Sequence, residues 1–181
     1  MSFLLIVYFL SACADNNSEN DLRSWKVYRG DDGINAYSSL DQINRENVKL
    51  LKVAWTYRSG DTLGNSTIEC NPIIVNGILY GVSPRQKTFA LDAKTGKELW
   101  VFNPHDEKGQ GGGVSRGLSY WEEGDDQRIY MFANHRLLAL DARTGKQIMS
   151  FGENGVVDLR KGLRDDKEIE KYYKEKINIK L

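Results

Sequence analysis

Ala90-Leu91-Asp92-Ala93-Lys94-Thr95-Gly96-Lys97-Glu98-Leu99-Trp100 and Ala139-Leu140-Asp141-Ala142-Arg143-Thr144-Gly145-Lys146-Gln147-Ile148-Met149 are two copies of one pattern, 49 residues apart. The likeness reaches upstream to Leu79-Tyr80 and Ile129-Tyr130, 50 apart, so one residue is lost between the copies. Self-similarity at this period marks a fold assembled from repeated supersecondary units. Within a unit, Thr88 to Leu91 is an apolar strand. Asp92 can then accept backbone N–H bonds across the turn, and Gly96 can take the left-handed conformation that closes it. Glu98 to Phe102 returns as an alternating strand, Leu99 and Val101 on one face and Trp100 and Phe102 on the other. Before these, Ile73 to Tyr80 is split by Asn76-Gly77, the dipeptide suited to a type I′ hairpin because both central residues need positive φ. Each copy therefore reads strand, strand, turn, strand. Four-stranded units at this spacing are β-propeller blades.

The bulk composition agrees. Seventeen glycines against three prolines, with β-branched and aromatic residues in short runs, favour many strands joined by glycine turns, an all-β class. Forty per cent hydrophobic residues suffice for a packed core, which excludes disorder throughout. Twenty-five basic and twenty-five acidic residues cancel, so the chain lacks the basic footprint of a nucleic-acid binder. Two cysteines, Cys13 and Cys70, stand in such different contexts that a mutual disulfide is not expected.

Phe3 to Leu10 is an unbroken apolar octet, followed by Leu10-Ser11-Ala12-Cys13 and the polar run Ala14 to Asn20. Eight apolar residues fall far short of the roughly 20 needed to cross a bilayer as a helix. The order instead reads as a signal-peptide core over 1–12, a small-residue cleavage site and a tether over 13–24. Leu-Ser-Ala-Cys resembles the lipobox of bacterial lipoproteins, which implies lipidation at Cys13 and a folded part held at the periplasmic side of a membrane. Met1-Ser2 departs from that pattern in carrying no Lys or Arg; a buried N-terminal strand is the alternative use of the octet.

The run Ala90, Asp92, Thr95, Gly96, Trp100 resembles the tryptophan-docking motif of quinoprotein propellers, in which an indole locks neighbouring blades. The second copy keeps Ala139, Asp141, Thr144 and Gly145 but ends in Met149, a flexible filler, which implies a softer junction. Trp25, Tyr28-Arg29-Gly30-Asp31, Tyr37 to Asn44 and Asn47 to Trp55 look like the opening of the pyrroloquinoline quinone (PQQ) dependent sugar and alcohol dehydrogenases, nearest to the membrane-associated glucose dehydrogenase group. The likeness spans about Trp25 to Leu163. It implies a partial quinoprotein-type β-propeller of about two to three four-stranded blades over 25–160, with Val53 to Arg58 as the first strand.

By the same resemblance two residues carry cofactor contacts. Glu69, before Asn71-Pro72-Ile73, matches a Glu or Gln that meets the quinone from an inner strand. Arg116, in Val114-Ser115-Arg116-Gly117-Leu118, matches an arginine that holds PQQ. A rigid guanidinium fork suits a planar tricarboxylate. An exposed ion pair is the alternative use of each. Where some alcohol dehydrogenases place two adjacent cysteines over the ring, this chain has Gln110 and Gly111, which is more like the glucose-type members.

The family further implies Ca²⁺ as Lewis acid, a sugar or alcohol substrate, and a respiratory quinone or cytochrome as electron acceptor. Its Ca²⁺ ligands and catalytic Asp come from later blades, so none is assigned here. Closing a ring takes about four to eight blades, and eight at this period need on the order of 400 residues. The expectation is that the 181-residue chain, an N-terminal part, turns over no substrate. A non-enzymatic lipoprotein scaffold of the outer-membrane assembly type shares the docking motif, but it needs neither Arg116 nor the Tyr37 to Trp55 opening. A truncated or decayed gene product is a third reading.

Other signals are weak. Gly109 to Val114 lacks the last glycine of a dinucleotide fingerprint and the βαβ unit around it, and reads as a loop. His105 and His135 form no ligand-spaced cluster. Asp31-Asp32-Gly33 and Asp125-Asp126 do not continue into a calcium-loop pattern and read as turns. A charged tail over 161–181, in which the resemblance fades after Leu163, has Ile169, Tyr172, Tyr173 and Ile177 spaced as on one face of a short helix.

Overall fold

The computed structural model describes residues 24–30, 33–38, 40–62, 64–105 and 113–162, with Lys167 and Lys171 in helical backbone. Residues 1–23, with Cys13, the signal segment and the tether up to its last residue, Asp31 and Asp32, residues 106–112 and the four apolar tail residues all lie outside these.

Among the described residues, eight strands form two four-stranded antiparallel sheets, each in simple chain order. The first sheet holds β1 (Ile73–Val75), β2 (Ile78–Val82), β3 (Thr88–Asp92) and β4 (Glu98–Phe102); the second holds β5 (Ser119–Glu123), β6 (Asp126–Ala133), β7 (Arg136–Asp141) and β8 (Val156–Asp158). These are two successive blades of the expected all-β propeller type. The turns form as their sequences require. Asn76 and Gly77 both have positive φ, 50° and 79°. Asp92 Oδ1 accepts from the Thr95 N–H at 2.7 Å and the Thr95 hydroxyl at 2.6 Å, and Asp141 Oδ1 does the same with Thr144, at 2.8 Å for both. Gly96 and Gly145 close these turns at φ 71° and 70°. The Thr95 hydroxyl and N–H hold the Asp92 carboxyl below its usual range. At Asp141 desolvation acts the other way, but the Thr144 hydroxyl and N–H outweigh it and the net shift is also downward.

Ile73, Val75, Tyr80 and Ala90 of the first blade pack against Ile129, Met131, Ala133, Leu138, Leu140 and Ala142 of the second, so the main core lies between the sheets. Trp100 and Phe102 turn towards it while Leu99 and Val101 stay exposed, as the alternation requires. Here the docking geometry is visible. The Trp100 indole N–H donates to the Ala142 carbonyl at 3.0 Å. The ring lies so flat on Gly145 that a Cβ there would come within 2.5 Å of it.

Trp55 repeats this one blade earlier. Its indole N–H donates to the Ala93 carbonyl at 3.2 Å, and a Cβ on Gly96 would approach its ring to 2.5 Å. The sequence reading placed Trp55 only at the end of the opening segment; the fold makes it the docking tryptophan of the junction before the first blade.

Two expectations are corrected. Val53 to Arg58 forms no strand: among the described residues it has no ladder partner. Trp55 and Tyr57 hold it against the outer face of the first blade, the Tyr57 ring packing tilted on Phe89 with centroids 4.7 Å apart. In the second blade the return does not run on through Met149. Gln147 makes a single bridge to Leu140, the chain turns at Met149-Ser150, and pairing with β7 resumes only at β8. Gln147 ties off this excursion by donating its amide to the Gly155 carbonyl at 2.9 Å, and Phe151 packs on Tyr130 at 5.5 Å.

Candidate functional site

The antiparallel order sends alternate strand ends and loops to two opposite rims. One rim carries the Asn76-Gly77 turn and the Asp92 and Asp141 hairpins. The other carries Glu69 to Asn71 ahead of β1, the Ser83 to Lys87 loop, Arg116-Gly117 ahead of β5 and the turn at Asn134-His135. β1 and β5 are the first strands of their sheets, and a parallel bridge, Asn71 to Gly117, joins the segments that lead into them. The Asn71 N–H and side-chain amide both donate to the Arg116 carbonyl, at 3.0 and 3.2 Å. This fixes the Arg116 backbone to the start of the neighbouring blade.

The two residues singled out for cofactor contact are thereby brought together. Arg116 Nη1 lies 3.3 Å from Glu69 Oε2, with the arginine side chain 83% and the glutamate 41% exposed. An exposed pair of this kind contributes about 0–1 kcal/mol. It is weak enough to open for an anionic ligand, and the exposed guanidinium fork presents a planar donor edge. Beside it lies a cavity of about 320 Å³ lined by Gln86, Ser115, Arg116, Ser119, Phe132 and Asn134 among others. An arginine fork, amides, hydroxyls and one aromatic face in a concave setting fit a planar polyanion. The Ser115 hydroxyl donates to the Gly117 carbonyl at 3.4 Å. Among the described residues no three His, Cys, Asp or Glu gather as a metal site.

Cys70, next to Glu69, is an ordinary half-buried thiol. Its Sγ accepts from the Val82 N–H at 3.3 Å, and burial pushes its pKa up, away from nucleophilic use. His135 sits in the β6–β7 turn as expected. His105 is held at 3.2 Å from Gln86 Oε1. Sequence reasoning missed Gln86, which stands at φ 64° and is 6% exposed. A glutamine inside Ser83-Pro84-Arg85-Gln86-Lys87 gives no sign that it will be buried in a left-handed turn.

Comparison with known proteins gives a consistent result. The β-propeller domain model of the PQQ-dependent glucose/ethanol/alcohol dehydrogenases matches residues 25–178. The chain is 42% identical to the dehydrogenase subunit of the alcohol dehydrogenase (quinone) of Gluconobacter oxydans, covering 70% of this chain and 16% of that one. It is 34% identical to the quinoprotein glucose dehydrogenase of Escherichia coli, covering 80% and 21%. The crystal structure of the quinohemoprotein alcohol dehydrogenase of Comamonas testosteroni superimposes with a TM-score of 0.64 at 30% identity, covering 79% of this chain and 20% of that one. The chain thus spans about a fifth of the length of the relatives it matches.

Proposed function

Because this chain belongs to the β-propeller family of the PQQ-dependent glucose, ethanol and alcohol dehydrogenases, we propose that its Glu69–Arg116 rim holds one side of a PQQ molecule. The observation that carries this is the convergence of the two residues from adjacent blades at 3.3 Å beside a polar cavity. In this reading Arg116 donates its fork to a PQQ carboxylate, Glu69 orients the guanidinium, and the Asn71–Arg116 backbone bonds hold both in register. When bound, PQQ supplies the two-electron acceptor for an alcohol carbon. The substrate in a full-length relative is a sugar, glucose-like, or an alcohol; Gln110 and Gly111 in place of paired cysteines favour the sugar. Electrons then pass to a respiratory quinone or cytochrome, and Cys13 carries a lipid anchor at the periplasmic face of a membrane. No residue of this chain is assigned to Ca²⁺ or to proton abstraction.

Titrating PQQ into the purified chain tests the site. Saturable quenching of tryptophan fluorescence is expected, with affinity at least tenfold weaker in Arg116→Ala, in line with the loss of one charge-assisted contact. Equal affinities in the two proteins would overturn the assignment.

A further inference from the structure

Only four polar or charged side chains are buried among the described residues, and three of them, Asp61, Ser83 and Gln86, form one connected group beside the Arg116 cavity. Burial of a carboxylate without a cation is costly unless hydrogen bonds offset it. Asp61 is 7% exposed, and its two oxygens accept from the Ser59 hydroxyl at 2.6 Å and the Ser83 hydroxyl at 2.5 Å. Ser83 then fixes its own loop: its carbonyl accepts from the Gln86 N–H at 3.0 Å, its N–H donates to the Lys87 carbonyl at 2.8 Å, and its Oγ accepts from the Lys87 N–H at 3.0 Å. These bonds hold Gln86 at φ 64°, a conformation that costs a non-glycine residue free energy and persists only where its surroundings impose it.

The strained residue is placed with an effect. Gln86 Oε1 lies 3.2 Å from His105 Nε2, and Gln86 Nε2 lies 3.4 Å from where a Cβ on Gly113 would be. The one side chain therefore contacts His105 and stands beside Gly113, and it lines the same cavity as Val114-Ser115-Arg116, into which Gly113 leads directly. We propose that Asp61, Ser83 and Gln86 form a positioning relay that sets the backbone entering Arg116 and so aims its guanidinium at the anionic ligand. This rests on the PQQ reading for the identity of the ligand; the relay acts on Arg116 whether or not PQQ is that ligand.

Two measurements test it. Hydrogen exchange at the Asn71 amide, bonded to the Arg116 carbonyl, reports the seating of Arg116 without any ligand. Gln86→Gly tolerates the positive φ but removes the side chain. It is expected to speed exchange at Asn71 and leave the Ala142 amide, bonded to Gln127 in the second blade, unchanged. The second measurement is a double-mutant cycle on PQQ affinity. Gln86→Gly is expected to weaken binding roughly tenfold alone but by less than about twofold when Arg116 is already alanine, because its effect runs through Arg116.

Asp61→Ala should behave as Gln86→Gly does in both measurements. Gln86→Asn, which accepts positive φ but is one methylene too short to reach His105, replaces Gln86→Gly if that variant fails to fold. Additive losses in the cycle, or unchanged Asn71 exchange, overturn the relay. If the wild-type chain binds no PQQ, the PQQ reading falls and the exchange result alone decides the relay.

Discussion

Replacing Gly145 by alanine is a severe test of how the blades are joined. A Cβ at this position would sit 2.5 Å from Trp100 Cε3 and 2.6 Å from Cδ2, inside any tolerable contact, so the indole must lift off the turn. Three costs then add. The φ of 70° penalises a side chain by about 1–2 kcal/mol. Loss of the indole bond to the Ala142 carbonyl, 3.0 Å in the wild type, costs about 1 kcal/mol. Repacking of the ring at the edge of the inter-blade core costs about 1–3 kcal/mol. The sum is about 3–6 kcal/mol. Gly124→Ala is the control: its φ is 57°, but no atom lies within 4 Å of the added methyl, so only the backbone cost of about 1–2 kcal/mol applies. Urea unfolding of both variants, followed by circular dichroism and compared with the wild type, gives the two stability losses directly. A Gly145→Ala loss within about 0.5 kcal/mol of the Gly124→Ala loss would refute the docking account. Gly96→Ala, against Trp55, should match Gly145→Ala in kind.

Met131 is fully buried between the sheets, so Met131→Ala should cost about 2–5 kcal/mol while unfolding stays a single transition; two separate transitions would show that the blades do not share one core. The Asp92 and Asp141 carboxyls are held below their ordinary range, so they stabilise the fold above the unfolded carboxyl value, near pH 4, and lose that contribution as the pH falls through their lowered values. Stability measured from pH 5 to pH 2 should therefore fall less steeply in the Asp92→Asn, Asp141→Asn double variant, and an unchanged slope would count against it. Burial raises the pKa of the Cys70 thiol; a thiol reagent at pH 8 should label it slowly in the native chain and rapidly in urea, and equal rates would contradict its placement. For the proposed anchor, wild-type chain expressed in bacteria fed a labelled fatty acid should carry label and Cys13→Ser should not.

Features written in local chemistry were legible from the sequence. Asn76-Gly77 determines its own turn, and Asp92 with Thr95 and Gly96 closes its own hairpin, because all the partners lie within a few residues. The 49-residue repeat then reported the blades, and the resemblance of Glu69 and Arg116 to a cofactor pair underlies the rim proposed for the cofactor. What stayed hidden depends on partners distant in sequence. Trp55 is a docking residue only because Ala93 and Gly96 lie across the junction. Val53 to Arg58 alternates like a strand, yet alternation does not supply a neighbour to pair with. Met149 breaks the motif visibly, but the excursion that follows it depends on Gln147 reaching Gly155. Gln86 and Asp61 look like surface polar residues until the fold buries them, both bonded to Ser83.

Amide chemical-shift mapping of the chain during titration with PQQ is the most direct test of the proposed site, because the two rims lie at opposite ends of the same sheets. Perturbations confined to Glu69 to Asn71, Ser83 to Lys87 and Val114 to Ser119, absent in Arg116→Ala, are the predicted result. Shifts centred on Asn76-Gly77, Gly124 and the Asp92 and Asp141 hairpins, or no saturable shift at all, would contradict it.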